Sequence, residues 1–201
     1  MVSDPLIILA SGSSYRKALL ERLQLPFSAM APEIDESALA GESAAALCQR
    51  LARHKAQAIA ARHGEAVVIG SDQVAVLDDT ILGKPGTAAR ARQQLQACSG
   101  REVCFLTSLH VIRPDGDDLV GLEQFRVFFR QLTDADIARY IEIERPLDCA
   151  GSFKCEGLGI TLFQRLAGDD PTSLEGLPLI RLAAMLRQCG LDPLRSQSQY
   201  H

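Results

Sequence analysis

A carboxylate and a lysine follow one another closely in the middle of this chain, and each stands near a glycine. An apolar run over residues 66–69 leads into Gly70–Ser71–Asp72–Gln73, and Gly83–Lys84–Pro85 comes shortly after it. Open α/β sheets bind ligands just outside the carboxyl ends of their strands, so the pattern places Asp72 at the mouth of a buried strand with a cation behind it. The stretch predicts a site for a phosphorylated, metal-bound ligand. The simpler alternative is an Asx turn or cap at Asp72 and an ordinary turn lysine at Lys84.

Hydroxyl groups and two cations surround the first predicted strand-to-helix turn. Ser11 opens the segment, and Arg16 and Lys17 follow at the start of the helix. Free amides at a helix start attract phosphate, and arginine adds a bidentate fork. The segment is not a Walker loop, because the Gly-x-x-x-x-Gly-Lys spacing is absent. It predicts a phosphate-binding turn or, more simply, a serine cap beside two solvated cations.

A lysine lies on the apolar face of the long helix predicted over residues 43–62. At 100° per residue, Lys55 falls between Leu51 and Ile59 on the stripe that faces the core. Such a lysine either extends its ammonium group to water or meets an anion. The sequence leaves both possibilities open.

Three carboxylates crowd the segment that follows Pro32, namely Glu33, Asp35 and Glu36. Hard oxygen ligands in such number suit Mg²⁺ or Mn²⁺ shared with the phosphates of a substrate, and a solvated acidic loop is the alternative. The four histidines show no metal-ligand spacing, and the six cysteines include no Cys-x-x-Cys pair. A structural zinc site and a thiol nucleophile are therefore not expected.

The elements that must position these groups alternate between helix and strand and then become antiparallel. Strands are predicted over residues 6–10, 27–31, 67–69, 103–113 and 119–129, with a hairpin over 74–82. Helices are predicted over residues 15–23, 43–62, 88–97 and 177–189, with another that begins at an N-cap at Thr133. A glycine-rich loop covers residues 150–159. This order favours a mixed α/β sheet in a single domain over residues 1–195, followed by a frayed polar tail over 196–201.

Composition narrows the possible partners. The chain has 201 residues, 47% hydrophobic, and a net charge of −4, which argues against binding long nucleic acid by phosphate neutralisation but not against a small anionic ligand. No basic-then-apolar leader opens the chain, and no apolar run approaches the roughly 20 residues of a membrane span. We expect a soluble cytoplasmic protein with reduced thiols and no membrane partner.

Taken in order, these motifs resemble those of the Maf-like nucleotide pyrophosphatase family. The matching stretches are residues 10–13 with 16–17, 32–36, 55–56, 70–73, 83–85 and 150–153. The resemblance is closest to the 7-methyl-GTP pyrophosphatase branch of the family, through residues 71–73, 149–157, 169–172 and 176–179. Ser14–Tyr15–Arg16–Lys17 stands where that branch usually has Pro-Trp-Arg-Arg.

The resemblance implies hydrolysis of a nucleoside triphosphate between its α and β phosphates, with a divalent metal (Mg²⁺, Mn²⁺ or Co²⁺) as cofactor. It also implies a mixed α/β fold like that of the inosine triphosphatases, with an elongated central sheet flanked by helices and two lobes around a cleft. The family members are often homodimers. The alternatives that stay open are the same chemistry on dTTP, UTP or another modified nucleotide, and a nucleotide-binding regulator of cell division without enzymatic activity.

The same reading assigns a role to each candidate residue. Asp72 is the general base for the attacking water, and Asp72 and Glu33 hold the metal. Phosphate is bound by Ser11, Arg16, Lys17, Lys55 and Lys84, with the substrate as the counter-ion of Lys55. Tyr15, Gln73 and Glu156 select the base, because a carboxylate accepts both donors on the guanine edge and an aromatic face attracts the cationic ring of 7-methylguanine. A surface carboxylate in a glycine-rich loop is the alternative at Glu156.

Overall fold

A seven-stranded mixed sheet forms the centre of the computed structural model, which describes residues 6–195. Its strands are β1 (Ile7–Leu9), β2 (Phe27–Ala29), β3 (Val67–Leu77), β4 (Thr80–Leu82), β5 (Glu102–Ile112), β6 (Asp118–Phe129) and β7 (Phe163–Ala167). The strands lie in the order β2-β1-β3-β5-β6-β7, and β4 pairs with β3. The pairings of β1 with β2 and β3 are parallel, and the others are antiparallel. The predicted mixed sheet is confirmed.

Five α-helices cover the two faces of this sheet. They are α1 (Ser14–Glu21), α2 (Ala44–Ala60), α3 (Ala88–Cys98), α4 (Asp134–Glu144) and α5 (Leu179–Gln188). One face packs against α2, and the other packs against α1 and α5 at one end and against α3 and α4 at the other. The alternation of side chains along a strand explains the division, because Ile8 faces α2 while Ile7 and Leu9 face α1 and α5. None of the helices within residues 6–195 combines the length and apolar character needed to cross a membrane.

The prediction that a strand ends before Asp72 is wrong. β3 continues for eleven residues, and Asp72 lies in its middle, opposite Ser108 of β5. The pairing with β5 carries the backbone hydrogen bonds through the polar stretch, so the strand does not stop where the apolar run stops. The hairpin between β3 and β4 is confirmed, with Asp78 in the left-handed region of its turn.

The other edge of β3 is interrupted at the same place. β1 pairs with Val67–Ile69, and β4 pairs with Ala75–Leu77, so residues 70–74 have no strand beside them on this edge among the described residues. The carboxyl end of β1 therefore opens beside Asp72, and the rule that ligands bind at strand ends applies to β1 rather than to β3.

Other predicted elements differ only at their ends. Thr133 caps α4 in a capping box with Asp136, and the closing helix α5 begins after Pro178. β7 was not predicted, because its five residues are half-buried or exposed and carry little apolar alternation. The frayed tail over 196–201 lies outside the described residues, and the division into two lobes stays a prediction.

Gly70 sets how closely α2 approaches the sheet. A Cβ atom at this position would lie 2.2 Å from the carbonyl oxygen of Ala52 and 2.8 Å from the amide nitrogen of Ala56. Both neighbours are helix backbone, which cannot rotate away. The absence of a side chain at Gly70 therefore brings Lys55, which lies on the same helical turn, within reach of Asp72.

We expect Gly70→Ala to lower the free energy of unfolding by about 3 kcal/mol, because the added methyl group must push α2 off the sheet. Urea denaturation measures the effect. Gly64→Ala is the matched control, since nothing lies within 4 Å of a Cβ atom there. Equal stability of the two variants would contradict the close contact between α2 and β3.

Candidate active site

A cleft of about 650 Å³ opens at the interrupted edge of β3. Of the ten predicted site residues, eight line it: Ser11, Tyr15, Arg16, Lys55, Asp72, Gln73, Lys84 and Glu156. The structure does not bring the other two, Lys17 and Glu33, to its wall, and both are exposed. Lys17 follows Arg16 on α1 and is turned by about 100° away from it. The cleft thus gathers groups that are separated by up to 145 positions along the chain.

A buried ion pair lies at the centre of the cleft. The Nζ atom of Lys55 is 2.6 Å from Oδ1 of Asp72 and 2.8 Å from Oε1 of Glu36. Lys55 and Asp72 are each 6% exposed, so the charges of this pair are shielded from water. Lys55 lies on the inward face of its helix, as the helical period indicates, and of the two possibilities that the sequence left open the structure shows contact with anions. These anions are two carboxylates of the protein, and the role of the substrate as counter-ion stays a prediction.

Glu36 is held in its charged form by the cations around it. Burial raises the pKa of this carboxyl, but the hydrogen bond and charge of Lys55, together with the charges of Lys84 and Arg16, outweigh burial and bring the pKa below its ordinary value. Glu36 therefore enters the site as a carboxylate. The sequence named it only as one of three acidic residues after Pro32, and the extended loop there offers no periodicity to tell which of them turns inward.

The first turn of the chain forms a polar corner of the cleft. Ser13 caps α1 by accepting from the amide of Arg16, and Ser11 Oγ accepts from the amide of Ser13 at 3.1 Å. Arg16 Nε donates to the carbonyl oxygen of Gly176 at 2.9 Å. Burial lowers the pKa of Arg16 and the charge of Asp72 opposes this, and a guanidinium stays cationic in either case. The corner can bind an anion through a helix start and a fixed cation.

Gln73 has a structural role that the sequence did not indicate, and its contact with the base stays a prediction. Its Nε2 atom donates to the carbonyl oxygens of Ser173 at 2.7 Å and Leu174 at 3.1 Å, and it lies 3.1 Å from Oγ1 of Thr107. Carbonyl oxygens only accept, so they identify the nitrogen end of the amide. The donors of Gln73 are committed to the 3₁₀ turn Pro171–Glu175, and only its Oε1 atom is left to contact a ligand.

Another part of the cleft wall, which we call its acidic end, carries an aromatic ring and the carboxylates of Asp148 and Glu156. Tyr15 is half-buried, and its hydroxyl accepts from Sγ of Cys149 at 3.8 Å. Burial raises the pKa of Tyr15, and Cys149, Asp148 and Glu156 raise it further. Glu156 is exposed on the cleft wall. This end is therefore acidic, whereas the centre carries cations.

The two thiols of the cleft are not nucleophiles. Burial raises the pKa of Cys149 to about 11 and that of Cys155 to about 12. Both stay protonated at neutral pH, and the thiolate is the reactive form. This agrees with the expectation from the sequence that no cysteine carries the chemistry.

The donors present fit a metal ion that arrives with phosphates. Within residues 6–195 no group of three or more His, Cys, Asp and Glu side chains is arranged to hold a metal. Asp72 and Glu36 nevertheless meet at Lys55, and Mg²⁺ is usually held by one or two carboxylates plus the phosphates of the substrate. Glu36, rather than Glu33, is the carboxylate of this segment that shares a partner with Asp72.

Comparisons with known proteins agree with this geometry. A family model described as Maf-like protein matches residues 6–189. A protein of Pseudomonas aeruginosa named 7-methyl-GTP pyrophosphatase is 55% identical over 189 residues, which cover 94% of this chain and 98% of that protein. A protein of Alkalilimnicola ehrlichii with the same name is 51% identical over 201 residues, covering 98% of this chain and all of that protein.

Solved structures confirm the fold. A HAM1 protein from Coxiella burnetii superposes with a TM-score of 0.54 at 18% identity, over 92% of this chain and 99% of that one. The Ham1 protein of Staphylococcus aureus gives a TM-score of 0.53 at 13% identity, over 91% and 98% of the two chains. At these identities the likeness concerns the arrangement of the sheet and its helices.

Proposed function

We propose, from the finding that this chain belongs to the Maf-like protein family, that it is a nucleoside triphosphate pyrophosphatase which converts 7-methyl-GTP to 7-methyl-GMP and pyrophosphate. The observation that carries the proposal is the buried ion pair of Lys55 with Asp72, joined by the more exposed Glu36, beside the polar corner at Arg16. Relatives that are about 55% identical and carry the name 7-methyl-GTP pyrophosphatase support the choice of substrate.

The cations of the cleft serve the phosphates. A triphosphate brings several negative charges, which must be neutralised before water can approach phosphorus. Arg16, Lys55 and Lys84 line the cleft and stabilise the charge that develops on the phosphate oxygens in the transition state. Catalysis of phosphoryl transfer relies mainly on such positioning and charge stabilisation.

Asp72 is the general base. Its Oδ1 atom accepts from Lys55, so the proton of the attacking water passes to Oδ2. The water oxygen forms a bond to the α phosphorus, the bond from that phosphorus to the bridging oxygen breaks, and pyrophosphate leaves with the bonding electrons. Asp72 then returns its proton to solvent. General-base assistance of this kind contributes about 10²–10⁴ to the rate.

A divalent cation completes the site. Asp72 and Glu36 would hold it together with the substrate phosphates, as Mg²⁺ sites in phosphate-transfer enzymes are commonly built. When bound, the metal neutralises phosphate charge and polarises the bond that breaks. Mg²⁺, Mn²⁺ and Co²⁺ all accept oxygen ligands of this kind.

The acidic end of the cleft selects the base. Glu156 can accept hydrogen bonds from both donors on the guanine edge, whereas a neutral glutamine there would suit uracil or thymine. Methylation at N7 places positive charge on the ring, and the face of Tyr15 attracts a cation. Gln73 contributes indirectly, by holding the Pro171–Glu175 turn in place.

The proposed compartment is the cytoplasm. All six cysteines are free thiols, which is typical of a reducing environment. A small nucleotide is the partner that the cleft fits, and an assembly into homodimers stays a prediction.

A substrate panel tests the function. We expect the purified protein to release pyrophosphate from 7-methyl-GTP at least tenfold faster than from GTP, dTTP or UTP at equal low concentration, and to lose this activity in EDTA. Pyrophosphate is measured with and without Mg²⁺, Mn²⁺ or Co²⁺. Faster hydrolysis of dTTP or UTP would move the assignment to another base. Retention of DNA at physiological salt without any hydrolysis would favour the regulator of cell division.

A further inference from the structure

One carboxylate of the cleft has neither a role in the phosphate chemistry nor a polar partner among the described residues. Glu175 is half-buried on the cleft wall, and its side chain makes no hydrogen bond or ion pair with any residue of the described chain from 6 to 195. Asp72 and Glu36, by contrast, both bind Lys55. Withdrawing a carboxylate from water without an ion-pair partner costs free energy. A ligand that supplies the missing positive charge would recover this cost.

The segment that carries Glu175 is held firmly in place. Oγ1 of Thr107 donates to the carbonyl oxygen of Ser173 at 2.8 Å, alongside the two bonds from Gln73. On the other side of Glu175, the carbonyl oxygen of Gly176 accepts from Oγ of Ser71 at 3.0 Å and from Nε of Arg16 at 2.9 Å. The backbone of Glu175 is thus fixed before and after it by side chains of β3, β5 and α1.

Asp170 fixes the start of the same turn. This buried carboxylate accepts from the amide and hydroxyl of Thr172 through Oδ1 and from the amide of Ile180 through Oδ2. It ties the Pro171–Glu175 turn to the first turn of α5. Since the turn is tied at both ends, the backbone of Glu175 cannot move away from the cleft without breaking several hydrogen bonds.

The surroundings of Glu175 favour a positive ligand. Burial raises the pKa of its carboxyl, the negative charge of Glu156 raises it further, and the charge of Arg22 only partly opposes them. Tyr15, Glu156 and Glu175 line the same cleft, and Glu156 also contributes to the raised pKa of Tyr15. A cation bound here would relieve the repulsion between the two carboxylates.

We propose that Glu175 is a second specificity-determining residue, which acts with Glu156 to select a nucleobase that carries a positive charge. The inference rests on the proposed function and deepens it. GTP and 7-methyl-GTP present the same donors on the guanine edge, so hydrogen bonds to that edge alone distinguish them poorly. The fixed charge on the methylated ring is what differs, and a second carboxylate on a firmly held backbone responds to that charge.

Equilibrium binding separates this inference from the reaction. The probes are 7-methyl-GMP and GMP, which differ by one methyl group and are not hydrolysed, and their affinities are measured by titration calorimetry. We expect the wild-type protein to prefer 7-methyl-GMP and Glu175→Gln to lose about tenfold of that preference, mainly through weaker binding of the methylated nucleotide. Glu65→Gln is the matched control, because Glu65 is exposed outside the cleft and its replacement changes the net charge equally.

Each outcome decides the inference. A preference that falls in Glu175→Gln but not in Glu65→Gln supports it. A preference in Glu175→Gln within twofold of the wild-type value overturns it, and so does a wild-type protein that binds both nucleotides equally. The proposed function is judged separately by pyrophosphate release. If the protein prefers 7-methyl-GMP but does not hydrolyse 7-methyl-GTP, the role of Glu175 in recognition stands and the proposed reaction is wrong.

Discussion

Replacing Asp72 with asparagine is expected to lower the rate of pyrophosphate release from 7-methyl-GTP by about a thousandfold. Asparagine keeps an oxygen that can accept from Lys55, but it cannot take a proton from water. Steady-state kinetics with a pyrophosphate assay measures the loss. We expect kcat to decrease and KM to change little, because the base acts on the chemical step. Near-normal turnover in this variant would remove Asp72 from the role of base.

The fold should survive this replacement. Glu36 lies 2.8 Å from Nζ of Lys55, so the buried ammonium keeps a counter-ion when the charge of Asp72 is lost. Asp79→Asn is the matched control. Asp79 is exposed in the turn between β3 and β4, outside the cleft, and its replacement changes the net charge equally. Thermal melting of both variants distinguishes a chemical defect from an unfolded protein.

Lys55→Met is expected to lower both activity and stability. Methionine fills a similar volume but leaves the buried carboxylate of Asp72 facing Glu36 without the cation between them. Removing one partner of a buried ion pair costs about 3 kcal/mol, and we expect turnover to fall at least a hundredfold because phosphate charge is no longer neutralised. Urea denaturation and pyrophosphate release measure the two effects.

Lys84→Met is the informative comparison for Lys55→Met. Lys84 also lines the cleft, but it is exposed, so its replacement should change the free energy of unfolding by no more than about 0.5 kcal/mol. We expect its effect on activity to appear mainly as a raised KM for the triphosphate. Equal loss of stability in the two variants would contradict the view that Lys55 is the counter-ion of the buried carboxylate of Asp72.

The parts of the fold that depend on local chemistry could be predicted from the sequence. The capping residue Thr133 predicts the start of α4, and the acidic pair after Leu77 predicts the turn of the hairpin. The helical period places Lys55 on the inward face of α2, and it is buried there. In each of these cases the signal and the structure lie within a few residues of one another.

The parts that depend on distant partners could not be predicted. β3 runs through Asp72 because β5, more than thirty residues later, supplies its hydrogen bonds. The amide of Gln73 is taken by carbonyl groups a hundred positions further along the chain. Glu36 rather than Glu33 meets Lys55 because of the path of an extended loop, and an extended loop has no periodicity from which to read which side chain turns inward.

The way Gly70 seats α2 against β3 has a consequence for the history of such proteins. Lys55 and Asp72, to which we assign the phosphate chemistry, lie on a helix and a strand whose backbones are in close contact, whereas Glu156 lies in a loop and Glu175 in a short turn. The side chains of Glu156 and Glu175 can be exchanged without moving the backbones of that helix and strand. Related proteins can therefore differ in the base they prefer while they keep the same reaction centre.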